Sequence, residues 1–301
     1  MSSNITINPD LWDATKIWLG YCSGDSFAGA TTDAVPVNNT HSVFFRGDAI
    51  LRSTFATLAT DYNLSTSTSV ILKGCSAGGT AVWTQADAAK EILQTIAPNA
   101  RYIAMPGAGV FLDTPSYEHT NVAEDIYRWL FAVANMSGTT GNLNCQQAWG
   151  LENAWRCLFA QNVINYVESD LFVINSLTDL ASQSFIMALP CEPSAGNCNA
   201  AELAYLNQYT GLFLAAMAPV FHNPRRGGWF VTCSVHMLVN VDGAASLIHV
   251  NGATMTDTFH AYFTNSTSSS HTQVDTLWTR GTGEFGGNPD CIYYGPLPSK
   301  S

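Results

Sequence analysis

An α/β fold, with a mostly parallel sheet covered by helices on both faces, is what this sequence predicts, and three observations predict it. Short apolar runs alternate with segments of helical spacing along the chain, the pattern of parallel strands joined by crossover helices. One of those runs, Ser69-Val70-Ile71-Leu72-Lys73, breaks into Gly74-Cys75-Ser76-Ala77-Gly78-Gly79 and then becomes helical in pattern. No internal repeat and no long linker divides the 301 residues, so one domain over 1–301 is expected.

Lys16 to Tyr21 reads as the first strand, ending in the polar turn Cys22-Ser23-Gly24-Asp25-Ser26 at the expected carboxyl edge of the sheet. Val43 to Gly47 is a candidate short strand, and Asp48 to Asp61 carries helical spacing through Ile50, Leu51, Phe55 and Leu58. After the Ser69 strand, Thr80 to Ile96 has apolar residues at helical intervals and no glycine or proline before Pro98. Arg101 to Met105 is the next strand, with Pro106-Gly107-Ala108-Gly109 as its stop. Thr114 to Gln161 is helical in pieces, Ala123 to Asn135 most clearly, with a glycine-rich break at Gly138 to Gly141. Leu171 to Asn175 is apolar enough for a strand covered on both faces, and Leu177-Thr178-Asp179 follows it. A helix-rich stretch, Ala200 to Met217, precedes another strand at Gly228 to Cys233. The tail from Gly281 to Ser301, rich in glycine and proline, is expected to wrap the surface.

Composition narrows the partners. Hydrophobic residues make up 47%, enough for a sizeable core, and only 12% are charged, about half the usual share. Asp and Glu number 23 against 12 Lys and Arg; the resulting net charge of −11 disfavours nucleic acid and anionic membrane surfaces. The longest apolar run, Gly211 to Phe221, is interrupted by Pro219 and is too short for a bilayer, so no membrane span is expected. No basic start and apolar core mark the N-terminus as a signal peptide. A monomer is expected.

None of the eight cysteines is spaced C-x-x-C, so neither a zinc site nor any other metal or cofactor is expected. Cys191 and Cys198 bracket a turn-rich loop, and Cys145 and Cys157 bracket a similar local excursion. Both pairs read as disulfides, each contributing roughly 2–3 kcal/mol, with Cys233 and Cys291 a weaker third pair. Buried thiols are the alternative. Cys75, inside the Gly74 to Gly78 turn, is expected to pack rather than pair. Five N-x-S/T sequons, at Asn4, Asn38, Asn63, Asn135 and Asn265, agree with an oxidising compartment, although a chain rich in Asn, Ser and Thr forms sequons by chance.

The chemistry centres on Ser76. G-x-S-x-G between strand and helix is the nucleophile-elbow pattern, in which small neighbours let strand and helix pass close together, and Gly74 and Gly78 are read as supplying that room. A serine hydroxyl needs a base, and the base an orienting acid. Asp179 follows the Leu171 strand and His236 follows the Gly228 strand, so both fall at the sheet edge where the serine sits, in the chain order Ser, Asp, His. His222 and His249 compete with His236, and Asp170 or Glu168 with Asp179. The backbone N–H of Ala77, directly after the serine, is the expected oxyanion donor.

Several of these stretches carry a resemblance. Tyr21-Cys22-Ser23-Gly24-Asp25-Ser26-Phe27-Ala28-Gly29, Gly74 to Gly79, Gly107 to Asp113, the Asp179 loop and Cys233-Ser234-Val235-His236 resemble the pectin acetylesterase and Notum family of carboxylesterases, over most of the chain. The resemblance implies an α/β-hydrolase-like fold, Ser76, Asp179 and His236 as nucleophile, acid and base, and Tyr21, Ser23 and Asp25 near the substrate pocket. It implies acylated polysaccharide or another secreted acceptor as substrate, and a secreted or cell-wall, disulfide-bonded protein. Family members carry a glycine-rich segment followed by Trp upstream of the Tyr-Cys motif, supplying a second oxyanion donor; an incomplete N-terminus is therefore expected. The alternative reading is a member that binds a glycan or acyl chain without turnover.

Overall fold

The aliphatic runs of the sequence become the long strands. The computed structural model describes residues 2–240, 243–265, 270–276 and 287–293. Its strands are β1 (Val35–Pro36), β2 (Ser42–Val43), β3 (Ser69–Cys75), β4 (Arg101–Gly107), β5 (Asp170–Ser176), β6 (Arg226–Val231), β7 (His249–Val250), β8 (Ala253–Thr254) and β9 (Thr272–Val274). Five of them form a sheet in the order β3-β4-β5-β6-β9, while β1 pairs with β2 and β7 with β8 in small antiparallel ladders. The chain divides into two compact units.

One unit comprises Trp18–Pro115 and Thr120–Leu171. In it β3 and β4 run parallel, from Ser69 opposite Arg101 to Cys75 opposite Gly107. The helices are α1 (Gly47–Asp61), α2 (Ala77–Ile96), α3 (Val122–Val133), α4 (Leu143–Trp149) and the single turn α5 (Ala160–Val163). Val82, Ala86, Ala89 and Leu93, spaced by four, three and four, line the buried face of α2 beside Trp83, which is fully buried. Each large side chain removed from water there contributes roughly 1.5–3 kcal/mol. Ala97 closes the helix, and Pro98, which cannot continue it, follows.

The other unit comprises Met1–Ile17, Ser116–His119 and Phe172–Ser301. Here β6 and β9 are parallel, Gly228 opposite Thr272 through Phe230 opposite Val274. Helices α6 (Ala200–Ala216) and α9 (Met255–Phe263) both begin with capping boxes, Asn199 with Glu202 and Thr254 with Asp257; α7 (Ala218–Phe221) and α8 (Ala244–Leu247) are single turns. An aromatic core joins them: Phe172 meets Phe259 edge-on at 5.0 Å, and Phe213 meets Phe230 at 5.9 Å. Phe172 and Val173 are wholly inaccessible, as expected for a strand covered on both faces.

Three expectations change. Lys16 to Tyr21 is not a strand: it has no ladder partner among the described residues, and Trp18 is 87% exposed. Local β-propensity yields a strand only where a neighbour completes the hydrogen bonds and covers a face. Of Val43 to Gly47, only Val43 is paired, in β2. Strand β4 runs through Pro106 and Gly107 rather than ending at Met105; at the last rungs of a ladder the donor that proline lacks is cheaply given up. Most of the Gly281 to Ser301 tail lies outside the described residues, and Pro289–Tyr293 within it forms a 3₁₀ turn.

Disulfides join Cys145 to Cys157, Cys191 to Cys198 and Cys233 to Cys291, with Cα separations of 6.0, 5.1 and 5.6 Å. Cys22 and Cys75 stand outside them. Among the described residues no helix is long and apolar enough to cross a membrane.

Candidate active site

Ser76 stands between β3 and α2 with φ 60° and ψ −121°, a left-handed backbone that a residue bearing a Cβ adopts at a cost of about 1–3 kcal/mol. Its neighbours hold it there. The Ser76 N–H donates to the Gly107 carbonyl at 3.0 Å, and the Ser76 carbonyl accepts from Thr80 N–H at 3.0 Å. A Cβ on Gly74 would lie 2.0 Å from the Gly78 oxygen, so residue 74 admits only glycine. The expected counterpart at Gly78 is corrected: a Cβ there would meet nothing within 4 Å. The second close approach belongs to Gly79, whose Cβ would sit 2.5 Å from the Gly107 oxygen and 2.9 Å from Gly109 Cα. Gly78 is the residue approached, through its backbone, and Gly79 is the one that crosses the end of β4.

Ala77 is the first residue of α2, where helix N–H groups lack intrahelical acceptors and are suited to meet developing negative charge. On the strand leading in, burial lowers the pKa of Lys73, partly opposed by Cys75. Tyr127, which sequence reasoning passed over, hydrogen-bonds Thr80 in the first turn of α2; removal from water pushes its pKa up to about 12. Only its place on the helical face of α3 could have signalled it.

The Tyr21 to Gly29 motif folds inward on Asp25. Asp25 is 0% exposed; one carboxylate oxygen accepts from Ser23 Oγ and the other from Gly47 N–H at 2.8 Å, at the start of α1. A Cβ on Gly29 or Gly47 would fall 2.3 Å from that carboxylate, which accounts for both glycines. Tyr21 Oη accepts from Ser26 N–H at 2.9 Å, and Ser26 and Phe27 are consecutive left-handed residues. Of the three residues expected near a pocket, Ser23 and Asp25 are buried in loop-holding bonds and Tyr21 is 45% exposed.

In the other unit, Asp179 and His236 are brought together. Asp179 is 2% exposed, and His236 Nδ1 is 2.7 Å from its Oδ2. The second oxygen, Oδ1, accepts from Ser182 N–H at 2.9 Å. The carboxylate thus caps the helical turn that follows it while fixing one imidazole nitrogen, the arrangement that sets a histidine tautomer. The strand ends behind the two residues are tied: Leu177 N–H donates to the Val231 carbonyl at 2.8 Å, and Ser176 Oγ donates to the Val231 and Cys233 carbonyls. Cys233 is anchored to Cys291, and Met237, directly after the histidine, is left-handed with φ 55°.

The competing residues have other placements. His249 faces Asp290 at 3.1 Å, and His222 is exposed. Asp170 opens β5, and Glu168 precedes it, bonded through its backbone N–H to Asp87; both are at the amino end of the strand whose carboxyl end leads to Asp179. Among the described residues, the grouping of metal-ligand types at Cys191, Cys198 and Glu202 has both sulfurs in a disulfide.

Residues 1–282 match the family described as Pectinacetylesterase. Pectin acetylesterase 11 of Arabidopsis thaliana is 28% identical over 239 residues, covering 76% of this chain and 58% of that protein. The palmitoleoyl-protein carboxylesterase NOTUM of Mus musculus is 27% identical over 187 residues, covering 60% of this chain and 36% of that one. The chain therefore spans little more than half of the plant relative's length. The structure of the Wnt deacylase Notum from Drosophila superposes with a TM-score of 0.78 at 20% identity, covering 92% of this chain and 75% of that one, and the shared fold is α/β-hydrolase-like. With a family match across nearly its whole length and that fold beneath it, the chain belongs to the pectinacetylesterase family.

Proposed function

We propose that the chain is a carboxylic ester hydrolase of the pectin acetylesterase type, removing acetyl or other acyl groups from a polysaccharide or another secreted acceptor. The observation that carries this reading is the backbone of Ser76, held left-handed at the head of α2 by glycine contacts that no larger residue satisfies. Such strain is retained where a side chain must be presented to a ligand. Ser76 Oγ attacks the acyl carbonyl carbon while His236 Nε2 accepts its proton, and Asp179 steadies the imidazolium through Nδ1. The Ala77 N–H donates to the oxyanion of the tetrahedral intermediate. Collapse expels the acceptor alcohol, protonated by His236, and leaves an acyl-serine. Water, deprotonated by the same histidine, releases the carboxylic acid and restores Ser76.

The names of the relatives supply the substrate class: a pectin acetylesterase and a protein carboxylesterase both act on esters of a large acceptor. Three disulfides are compatible with secretion, since such bonds persist in oxidising compartments. The test is hydrolysis of a chromogenic acetyl ester and of acetylated polygalacturonate, with acetate release measured. Ser76→Ala is expected to abolish turnover, and Asp179→Asn to lower kcat by about 10³–10⁴. Hydrolysis unchanged in Ser76→Ala sinks the reading, and an intact chain that binds the polymer without releasing acetate supports the binding-only alternative.

A further inference from the structure

We propose that Gln183 is a positioning residue for the acid–base pair, a bracket that holds the loop carrying Asp179 to the loop carrying His236. The inference rests on the reading of those two residues as acid and base. Gln183 is 3% exposed and lies in the wide helical turn Ser182–Ile186. Such π-type turns interrupt regular helix at a cost and recur at functional sites. A carboxamide nitrogen has two hydrogens to donate. Gln183 Nε2 donates to the Thr178 carbonyl at 2.7 Å and to Ser234 Oγ at 3.3 Å. Thr178 immediately precedes the acid, and Ser234 stands two residues before the base. One side chain therefore spans two loops that follow different strands and are more than fifty residues apart in sequence.

The alternative is a buried glutamine satisfied for its own sake. Two features favour the bracket. The backbone of the turn already holds the acid without the side chain: Gln183 N–H donates to the Asp179 carbonyl at 2.9 Å, and Ser182 N–H holds Oδ1. The side chain adds the cross-loop link, which the turn alone does not need. Nearer the strands, Ser176 makes a parallel tie from the acid side to the Cys233 carbonyl. Of the two ties, the Gln183 one ends at Ser234, one residue nearer His236 in sequence than the Cys233 end of the other. In a site where a displacement of about 1 Å costs a large factor in rate, a link at that position acts on turnover rather than on substrate affinity.

The test uses the full chain with Gln183→Leu, Ser234→Ala, the double variant and Asp179→Asn. Gln183→Leu keeps the buried volume and removes both donors. It is expected to lower kcat about tenfold and slow fluorophosphonate labelling of Ser76 in parallel, with KM for the acetyl ester within about twofold. Ser234→Ala should lower kcat by a smaller factor, and the double variant should be no worse than Gln183→Leu, since both cut one link. The NMR signal of the Nδ1 proton shared by His236 and Asp179 should broaden in Gln183→Leu through faster exchange and vanish in Asp179→Asn. Wild-type kcat with a sharp proton signal in Gln183→Leu, or effects of the two single variants that multiply, overturns the bracket. If Gln183→Leu does not accumulate folded, Gln183→Asn, which stays polar but is one methylene too short, is expected to show the same loss of kcat, and full kcat there overturns it equally. Loss of activity in Asp179→Asn beside full activity in Gln183→Leu puts the fault with Gln183 alone. Full activity in Asp179→Asn removes the acid–base reading and this inference with it.

Discussion

At the scale of single residues, the G-x-S-x-G motif is asymmetric, and that asymmetry can be measured. Gly74 faces the Gly78 backbone at a distance no Cβ survives, while Gly78 faces open space at the start of a helix. Gly74→Ala is expected to cost more than about 3 kcal/mol, the range of severe overpacking. Gly78→Ala is expected to leave stability unchanged or raise it by up to about 1 kcal/mol, because alanine is the better helix former. Urea denaturation of the two variants decides the matter, and equal losses would refute the asymmetry. The motif names the serine, but it cannot say which glycine is indispensable. The partner of Gly79 is Gly109, thirty residues away and brought near only by the pairing of β3 with β4. The meeting of Asp179 with His236 was legible from their positions after strands. Gln183 was not, because its bond to Ser234 depends on how two loops fold back toward each other.

At the scale of elements, long apolar segments were readable and short ones were not. Helices α1, α2 and α6 and strands β3, β5 and β6 fall within a few residues of their expected positions, since each has an apolar pattern longer than its neighbours can obscure. The nine-residue α9 and three-residue β9 were missed: α9 is too short for its periodicity to stand out, and β9 exists because β6 offers it a free ladder. Between α3 and the turn Ala154–Leu158, an ionic cluster makes a join with no sequence signature. Arg156 bonds Asp113 and lies 4.4 Å from the Trp155 ring; Arg128 bonds Glu124 at 2.6 Å and lies 4.6 Å from the same ring. Burial pushes the Asp113 pKa above the usual carboxylate range, Arg156 opposing and Glu124 adding to it. A carboxyl whose pKa is raised on folding binds more protons in the folded state. Its contribution is therefore fully present below the unfolded pKa and is lost as pH rises through the folded one. Asp113→Asn should accordingly gain stability relative to the parent as pH rises through the window just above the ordinary carboxylate pKa, whatever constant offset the lost bond imposes. Thermal melts across that window check it, and a difference independent of pH would contradict the raised pKa.

At the scale of the whole molecule, three disulfides and two cysteines outside them make a count that solution chemistry can read. Denatured, unreduced protein is expected to show two reactive thiols and, after reduction, eight. A count of eight before reduction would remove the covalent frame. The net charge of −11 has its own consequence for a polyanionic acceptor such as polygalacturonate: long-range repulsion raises KM at low salt and is screened as ionic strength rises. KM for acetylated polygalacturonate should therefore fall between about 0.02 and 0.2 M salt, where the Debye length shrinks from roughly 20 to 7 Å, while KM for a small neutral acetyl ester stays level. Parallel behaviour of the two substrates would assign the effect to something other than charge.

The bond between Cys233 and Cys291 also has a meaning in time. Its two sulfurs are separated by 58 residues, a stretch that a ribosome working at 5–20 residues per second takes roughly 3–12 s to add. Throughout that interval the segment that will present His236 has been made but lacks its covalent anchor, whereas Ser176 and Gln183, synthesised earlier, already wait in the segment of Asp179. The histidine's loop is thus fixed after its partners, and only where thiols can be oxidised. In a nascent chain held in a reducing environment, the loop of His236 would stay without its covalent tie long after Ser76 and Asp179 had been made.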